Sequence, residues 1–312
     1  MVKSESSLPP VICLMGPTAS GKTGLAMSLH DSLPCDIISV DSALVYRDMD
    51  IGTAKPSAEE LCQYPHSLID IKDASESYSA AQFCRDALDE IAIIRANNRI
   101  PLLVGGTMMY FKSLLDGISL LPEANAEVRA EIDKQAEQFG WQKMHEELAR
   151  FDLATAERIH QNDKQRLTRA IEVYRLSGRS LSELIAVKGL CLTGNILQFA
   201  IKPLDRKNLH QRIALRYQQM IEQGFEQEVV NLKSRQDLHE NLPALRCVGY
   251  RQMWQYLNGE FSHQDMVFKG ICATRQLAKR QLTWLRNWPD MQSLEMNDEN
   301  NLQQILSSVS KV

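Results

Sequence analysis

No apolar run in this 312-residue chain approaches the roughly 18 to 20 residues that a membrane span requires, which predicts a soluble protein. The polar start, MVKSESSLPP, has no signal-peptide core, so a cytoplasmic location is expected. The seven cysteines (Cys13, Cys35, Cys62, Cys84, Cys191, Cys247, Cys272) are odd in number and contain no CxxC pair. That excludes a disulfide framework and a zinc cluster and suits a reducing compartment. Internal repeats and low-complexity tracts are also missing. Net charge is only −4, so the bulk balance announces no nucleic-acid partner.

With 44% hydrophobic and 24% charged residues, the chain can bury one large α/β domain with an insertion, or two domains. Its charge is unevenly spread. Between Lys164 and Arg179 five basic residues meet one acidic residue, and between Arg246 and Trp288 seven meet two. Two basic islands on an acidic body are compatible with a local polyanion footprint, although each alone is more often a solvated helix face.

The strongest local signal lies near the start. An apolar run, Val11 to Met15, enters Gly16-Pro17-Thr18-Ala19-Ser20-Gly21-Lys22-Thr23, and the periodic stretch Leu25, Ala26, Leu29 follows. Strand, glycine loop and helix in that order make a P-loop: the amides of residues 18 to 23 and a helix N-terminus hold phosphate oxygens, Lys22 adds positive charge, and Thr23 offers a hydroxyl to Mg²⁺. Such loops characterise nucleotide- and ATP-binding proteins. Three uses of the phosphate remain open: a nucleotide to be hydrolysed, a nucleotide donating its phosphoryl group, or a diphosphate that simply leaves.

Asp36 to Val40 reads as a second buried strand ending at Asp41, which the geometry of open α/β sheets places beside the phosphate cradle. Ser42 to Pro56 reads as a loop over that crevice, and Ser67 to Ile71 as a further strand. Phe83, Ala87, Leu88, Ile91 and Ile94 form the stripe of a helix over 80–96. Ile100 to Val104 is then a strand, Gly105-Gly106-Thr107 a second corner, and a helix starts at Met108. From about 116 to 194 only helical periodicity appears, notably over 127–139 and 166–176. Asn195 to Ile201 returns as a strand; helices are expected over 210–232, 250–257 and 264–286, and a last strand over 291–296. The expected fold is α/β: a P-loop NTPase-like parallel-sheet core (1–115 and 195–312) with an inserted all-helical domain (116–194).

Asp41 admits three roles: Mg²⁺ ligand, holder of a substrate hydroxyl, or general base. At this point the motifs act as a group. GPTASGKT (16–23), DSALVYRDMDIGTAKP (41–56), LLVGGTMMYFKSLL (102–115), DKQRLTRAIEVY (163–174), HQRIALRYQQM (210–220) and LRCVGYRQMW (245–254) resemble, in this order, the bacterial tRNA dimethylallyltransferase (tRNA isopentenyltransferase, IPP transferase) family. IGTAKP and RCVGYRQ are specific to it. The resemblance implies transfer of a dimethylallyl group from dimethylallyl diphosphate to N6 of adenosine 37, in tRNAs reading codons that begin with U.

The resemblance also assigns roles. Asp41 would accept the N6 proton, with Thr107 and Lys22 at the reacting centre. Gly16, Pro17, Thr18, Ala19, Ser20, Gly21, Lys22, Thr23 and Arg216 would bind the diphosphate, with Mg²⁺ at Thr23. The anticodon stem-loop would meet Asp41, Ser42, Ala43, Leu44, Thr107, Arg129, Gln165, Arg166, Leu167, Thr168, Arg169, Arg246, Cys247, Val248, Gly249, Tyr250 and Arg251. Reaching N6 in a closed pocket requires the adenine to be flipped out, at about a few kcal/mol. Leu44 departs from the glutamine many relatives carry, which removes an amide able to read a base edge. The zinc finger of eukaryotic relatives is not expected, because the tail after Trp288 lacks Cys and His. The rival reading is a small-molecule or nucleoside kinase on the same core. A monomer when free of tRNA is the default expectation.

Overall fold

Val11–Met15 and Ile100–Gly105 are apolar from end to end, and they become neighbouring strands with every residue buried. A continuous apolar run of this kind suits a parallel strand covered on both faces. The structure, a computed structural model, describes residues 8–119, 121–187, 189 and 191–311, so the first seven residues of the polar start lie outside the described residues. Six parallel strands form one sheet: β1 (Val11–Met15), β2 (Cys35–Val40), β3 (His66–Ser67), β4 (Ile100–Gly105), β5 (Ile196–Lys202) and β6 (Gln292–Glu295), in the order β3-β2-β4-β1-β5-β6.

The chain divides into two units, Met1–Ser113 with Thr193–Val312, and Leu114–Leu192. The first begins its helices with α1 (Lys22–Ser32), α2 (Ala58–Gln63), α3 (Ala80–Ala96) and the start of α4 (Met108–Asp116). In α3 the Ser79 hydroxyl accepts from the Gln82 amide while Gln82 accepts from the Ser79 amide, a capping box that sets the helix start. Its buried residues Phe83, Cys84, Ala87, Ile91 and Ile94 recur at helical spacing on one face.

The second unit holds α5 (Ala126–Phe139), α6 (Trp141–Phe151), α7 (Leu153–Ala156), α8 (Lys164–Ser177) and α9 (Leu181–Ala186), with no strand among its described residues. Its core joins Ile132, Ala136, Met144, Leu148, Leu167 and Ile171. The first unit resumes with α10 (Arg206–Glu222), α11 (Phe225–Ser234), α12 (Tyr250–Leu257), α13 (His263–Arg286) and α14 (Asn301–Val309). Ile12, Leu14, Leu29, Ile37, Leu102, Phe199, Ile213 and Leu294 meet in its main core. No helix among the described residues is long and apolar enough to cross a membrane.

Two expected elements differ. The strand expected over 67–71 lasts only His66–Ser67, because Leu68 (φ 64°) and Asp70 (φ 56°) turn into the left-handed region and leave the sheet. The helix expected over 210–232 is two helices separated by a turn at Gln223–Gly224.

The sheet is pinned where the site forms. β2 and β4 end in register at Val40 and Gly105, and the Val40 carbonyl also accepts from the Thr107 amide at 3.2 Å. A Cβ on Gly105 would overlap that carbonyl oxygen, so only glycine fits. By contrast, a Cβ on Gly24 in α1 meets nothing within 4 Å. Gly105→Ala should therefore lower unfolding free energy by about 1–3 kcal/mol in urea titrations, whereas Gly24→Ala should raise it by about 0.5–1 kcal/mol. Equal effects from the two would contradict the close approach.

Candidate active site

The turn after β1 takes its shape from Ala19 (φ 62°) and Gly21 (φ 91°), both left-handed, which turn successive amides toward one side before α1 begins at Lys22. Left-handed backbone costs an alanine about 1 kcal/mol, and Arg212 holds this one: its Nε donates to the Ala19 carbonyl at 2.9 Å and its Nη1 to Asn297 Oδ1 at 2.7 Å. The first amides of α1 have no acceptor inside the helix and face where an anion would sit.

Two expected phosphate donors are otherwise engaged, one of them the Ser20 amide, which donates to the Pro17 carbonyl at 3.3 Å. The Thr18 amide donates to Gln281 Oε1 at 2.9 Å, and Gln281 Nε2 donates to the Gly106 carbonyl at 2.8 Å. The buried Gln281 thus ties the phosphate loop to the corner after β4. The cradle falls to the amides of Ala19 and of residues 21 to 23, with Thr18 as its anchor. Lys22 Nζ donates to the Pro17 carbonyl at 2.7 Å, and burial pulls its ammonium down to about 7, against the charge of Asp41 and with the help of Arg216. Ser20 and Ser39 present buried hydroxyls to the same space with no hydrogen-bond partner among the described residues.

Asp41 emerges directly after β2. Its Oδ1 accepts from the amides of Ala43 (2.9 Å) and Leu44 (3.4 Å), which fixes the carboxyl and leaves Oδ2 without a partner among the described residues. Thr107 Oγ1 accepts from the Ser42 amide at 3.1 Å. Asp41 and Thr107 are therefore held together by backbone, on rigid strand ends rather than on a free loop.

Residues 18 to 23 of the phosphate loop, Asp41 and Thr107 line one cavity of about 880 Å³, whereas Gly16 and Pro17 lie outside its wall. Its remaining wall includes Thr53, Arg212, Arg216, Arg246, Cys247, Val248, Tyr250, Arg280 and Trp284, with apolar Met108, Met109, Leu215 and Leu277. Burial lowers the Arg216 pKa, opposed by Asp41, so this guanidinium gains from an arriving anion. The Cys247 thiol is pushed up to about 12 by burial and by Asp41, which makes it a poor nucleophile.

The metal-binding expectation rests on Thr23, which is exposed at the start of α1. Among the described residues there is no group of three or more His, Cys, Asp or Glu side chains able to cage an ion. Hydroxyls of Ser20, Thr23 and Ser39 beside the Asp41 carboxylate are hard oxygen donors, and this set fits Mg²⁺ carried mainly by substrate phosphates and water.

The residues expected to meet RNA divide by environment. Ser42, Arg246 and Arg251 are exposed, and Ala43 and Leu44 half-buried. Tyr250 is fully buried with its hydroxyl donating to Glu228 at 2.6 Å, and Gly249 is buried beneath it, so neither has a side-chain surface for a partner. In the second unit Gln165 and Arg166 are exposed and Thr168 half-buried, whereas Leu167 is wholly inside that unit's core. Arg129 and Arg169 both bind the fully buried Glu172: Arg129 Nε at 2.8 Å and Arg169 Nη1 at 2.6 Å, with Arg169 Nη2 on the Pro122 carbonyl at 2.8 Å. Both arginines hold their unit together before they can meet any ligand. The basic residues between Arg246 and Trp288, in contrast, form no ion pair among the described residues.

Sequence reasoning missed Gln281, Arg212, Arg280 and Trp284 in the cavity wall. Gln281 left one signal, a glutamine at an inward position of a helix whose apolar stripe it interrupts.

Residues 44–288 match the IPP transferase family. The chain is similar to the tRNA isopentenylpyrophosphate transferase of Bacillus halodurans, at 33% identity over 97% of this chain and 96% of that one, with a TM-score of 0.71. It is equally similar to the tRNA delta(2)-isopentenylpyrophosphate transferase of Staphylococcus epidermidis, at 33% identity over 97% and 98%, with a TM-score of 0.68. A eukaryotic dimethylallyltransferase acting on tRNA shares the fold, at 24% identity over 97% of this chain and 77% of that one, with a TM-score of 0.79.

Lys22 makes the cradle pH-sensitive. With its pKa near 7 when free, it is largely neutral at about pH 8 and must regain a proton when a diphosphate arrives; at about pH 6 it is already charged. Calorimetry of inorganic pyrophosphate binding in buffers of differing ionisation enthalpy should show wild type taking up more protons than Lys22→Met at pH 8, with the difference vanishing at pH 6. A difference independent of pH would contradict the lowered pKa.

Proposed function

The chain belongs to the IPP transferase family, and from that premise we propose that it transfers a dimethylallyl group from dimethylallyl diphosphate to N6 of adenosine 37 in tRNAs that read codons beginning with U. The observation that carries this reading is the single cavity shared by a phosphate cradle and a fixed carboxylate with one unengaged oxygen. Breaking the allylic C–O bond places negative charge on the departing diphosphate. Amides of Ala19 and of residues 21 to 23, with Lys22 and Arg216, would meet that developing charge, and fixed donors of this kind lower the barrier without reorganising. Mg²⁺ held at Thr23 and the phosphates would neutralise part of the same charge. No nucleotide is consumed.

The lone pair of adenine N6 is delocalised into the ring, which makes it a poor nucleophile. Asp41 Oδ2 takes the N6 proton as the C–N bond forms, help typically worth about 10² to 10⁴-fold in rate. Thr107, bonded to the Ser42 amide beside it, orients the base edge. Met108, Met109, Leu215 and Leu277 supply apolar surface for the hydrocarbon tail. The adenine enters flipped from its loop, and an unpaired anticodon loop makes that extrusion least costly. Arg246 and Arg251, both exposed and without ion pairs among the described residues, are the residues of the second basic island best placed to meet RNA phosphates. Arg129, Gln165, Arg166, Thr168 and Arg169 of the helical unit are the corresponding contacts of the first.

The test combines purified protein, Mg²⁺, labelled dimethylallyl diphosphate and an unmodified tRNA with adenosines at positions 36 to 38, with ATP absent. Label should appear on N6 of adenosine 37. A strict requirement for ATP would instead favour a kinase. Asp41→Asn should lower turnover by about 10² to 10⁴-fold with tRNA affinity nearly unchanged. Lost affinity with full turnover at saturation would remove Asp41 from the chemistry.

A further inference from the structure

The segment from Asp50 to Lys55 is held on two sides, and one side is a single carboxylate. Glu228 Oε2 accepts from the amides of Asp50 (2.9 Å) and Ile51 (2.7 Å), and its Oε1 accepts from the Gly52 amide (3.1 Å) and the Tyr250 hydroxyl (2.6 Å). Three successive amides converging on one anion form a backbone nest, the arrangement that elsewhere binds phosphate; here the anion is built in. Gly52 is pressed so closely on Phe225 and Tyr250 that a Cβ would come within 2.6 Å of the Tyr250 ring and overlap the Phe225 ring. On the far side Lys55, almost wholly buried, bonds Asp50, Asp70 and the Tyr46 carbonyl.

What this clamp presents to the cavity is Thr53. Its carbonyl accepts from Arg216 Nη2 at 3.3 Å, the one hydrogen bond the Arg216 side chain makes among the described residues. Gly52, Thr53 and Arg216 all line the cavity. Arg216 is a long side chain beside two other charged groups, Lys22 and Asp41, and without its carbonyl partner its head would be free to pair with Asp41. Glu228 itself lies outside the cavity wall, and it also fixes Tyr250, next to the lining residues Arg246 to Val248.

We propose that Glu228 is a positioning residue: its carboxylate organises the 50–53 backbone so that the Thr53 carbonyl aims Arg216 at the departing diphosphate and away from Asp41. The inference rests on the proposed diphosphate site, and it acts wholly through Arg216.

The experiment is a double-mutant cycle read by calorimetric binding of inorganic pyrophosphate with Mg²⁺. Glu228→Gln keeps the shape, but its amide group can accept from fewer of the four donors. Pyrophosphate affinity should fall by about tenfold, equivalent to about 1.4 kcal/mol, and the KM for dimethylallyl diphosphate should rise with it while the KM for tRNA changes by less than about twofold. In an Arg216→Ala background the same change should have no further effect on pyrophosphate affinity, because the group it positions is gone. Tyr250→Phe, which removes one of the four hydrogen bonds and leaves the fold intact, should show the same dependence on Arg216 with a smaller loss. A loss that persists undiminished without Arg216, or a lowered melting temperature with affinity unchanged in both variants, overturns the proposal. Wild-type protein that fails to bind pyrophosphate would instead overturn the diphosphate reading, which separates the two.

Discussion

The Val40 carbonyl sits at the point on which the site depends. It ends β2 in register with Gly105, accepts the Thr107 amide, and tolerates no side chain opposite it. From that one backbone group Asp41 departs on one strand and Thr107 on the next, already within reach of each other. Gln281 carries the constraint across β1 by bonding Thr18 and Gly106 together. Carboxylate, hydroxyl and phosphate loop thereby belong to one rigid edge, where strand ends hold groups more precisely than free loops can.

That rigidity is matched by groups left unsatisfied. Lys22 is half-buried with its charge destabilised, Arg216 is desolvated, and the hydroxyls of Ser20 and Ser39 have no partner among the described residues. Buried polar groups in this state cost stability unless a ligand completes them. A diphosphate with its metal supplies what is missing, both acceptors for the hydroxyls and opposite charge for the two cations. The same arrangement explains why a loop of nucleotide-binding type can serve a reaction in which nothing is phosphorylated: its donors stabilise whichever phosphate carries developing charge, whether transferred or released.

Much of this edge was legible in the sequence because it is local. The run from Val11 to Thr23 carries strand, turn and helix start within thirteen residues, and Asp41 follows an apolar strand directly. Gln281 was not legible, because its meaning lies in a contact with a loop 263 residues away. The strand expected after Ser67 failed at Leu68 and Asp70, whose left-handed backbone no local pattern announced. Charge counting found the island around Arg169 yet could not show that its single acid, Glu172, is buried between Arg169 and Arg129. The island near Arg246 forms no ion pair among the described residues, so similar sequence statistics conceal a scaffold in one place and uncommitted charge in the other.

The central claim is that the cradle grips a group on its way out. It is tested most directly by dimethylallyl diphosphate carrying heavy oxygen in the bridge between C1 and the first phosphorus. Cleavage of the carbon–oxygen bond sends all of that oxygen into the released diphosphate, which is the result predicted here by mass spectrometry. Heavy oxygen retained on the dimethylallyl carbon would mean that a phosphorus–oxygen bond breaks instead, and the account would be contradicted.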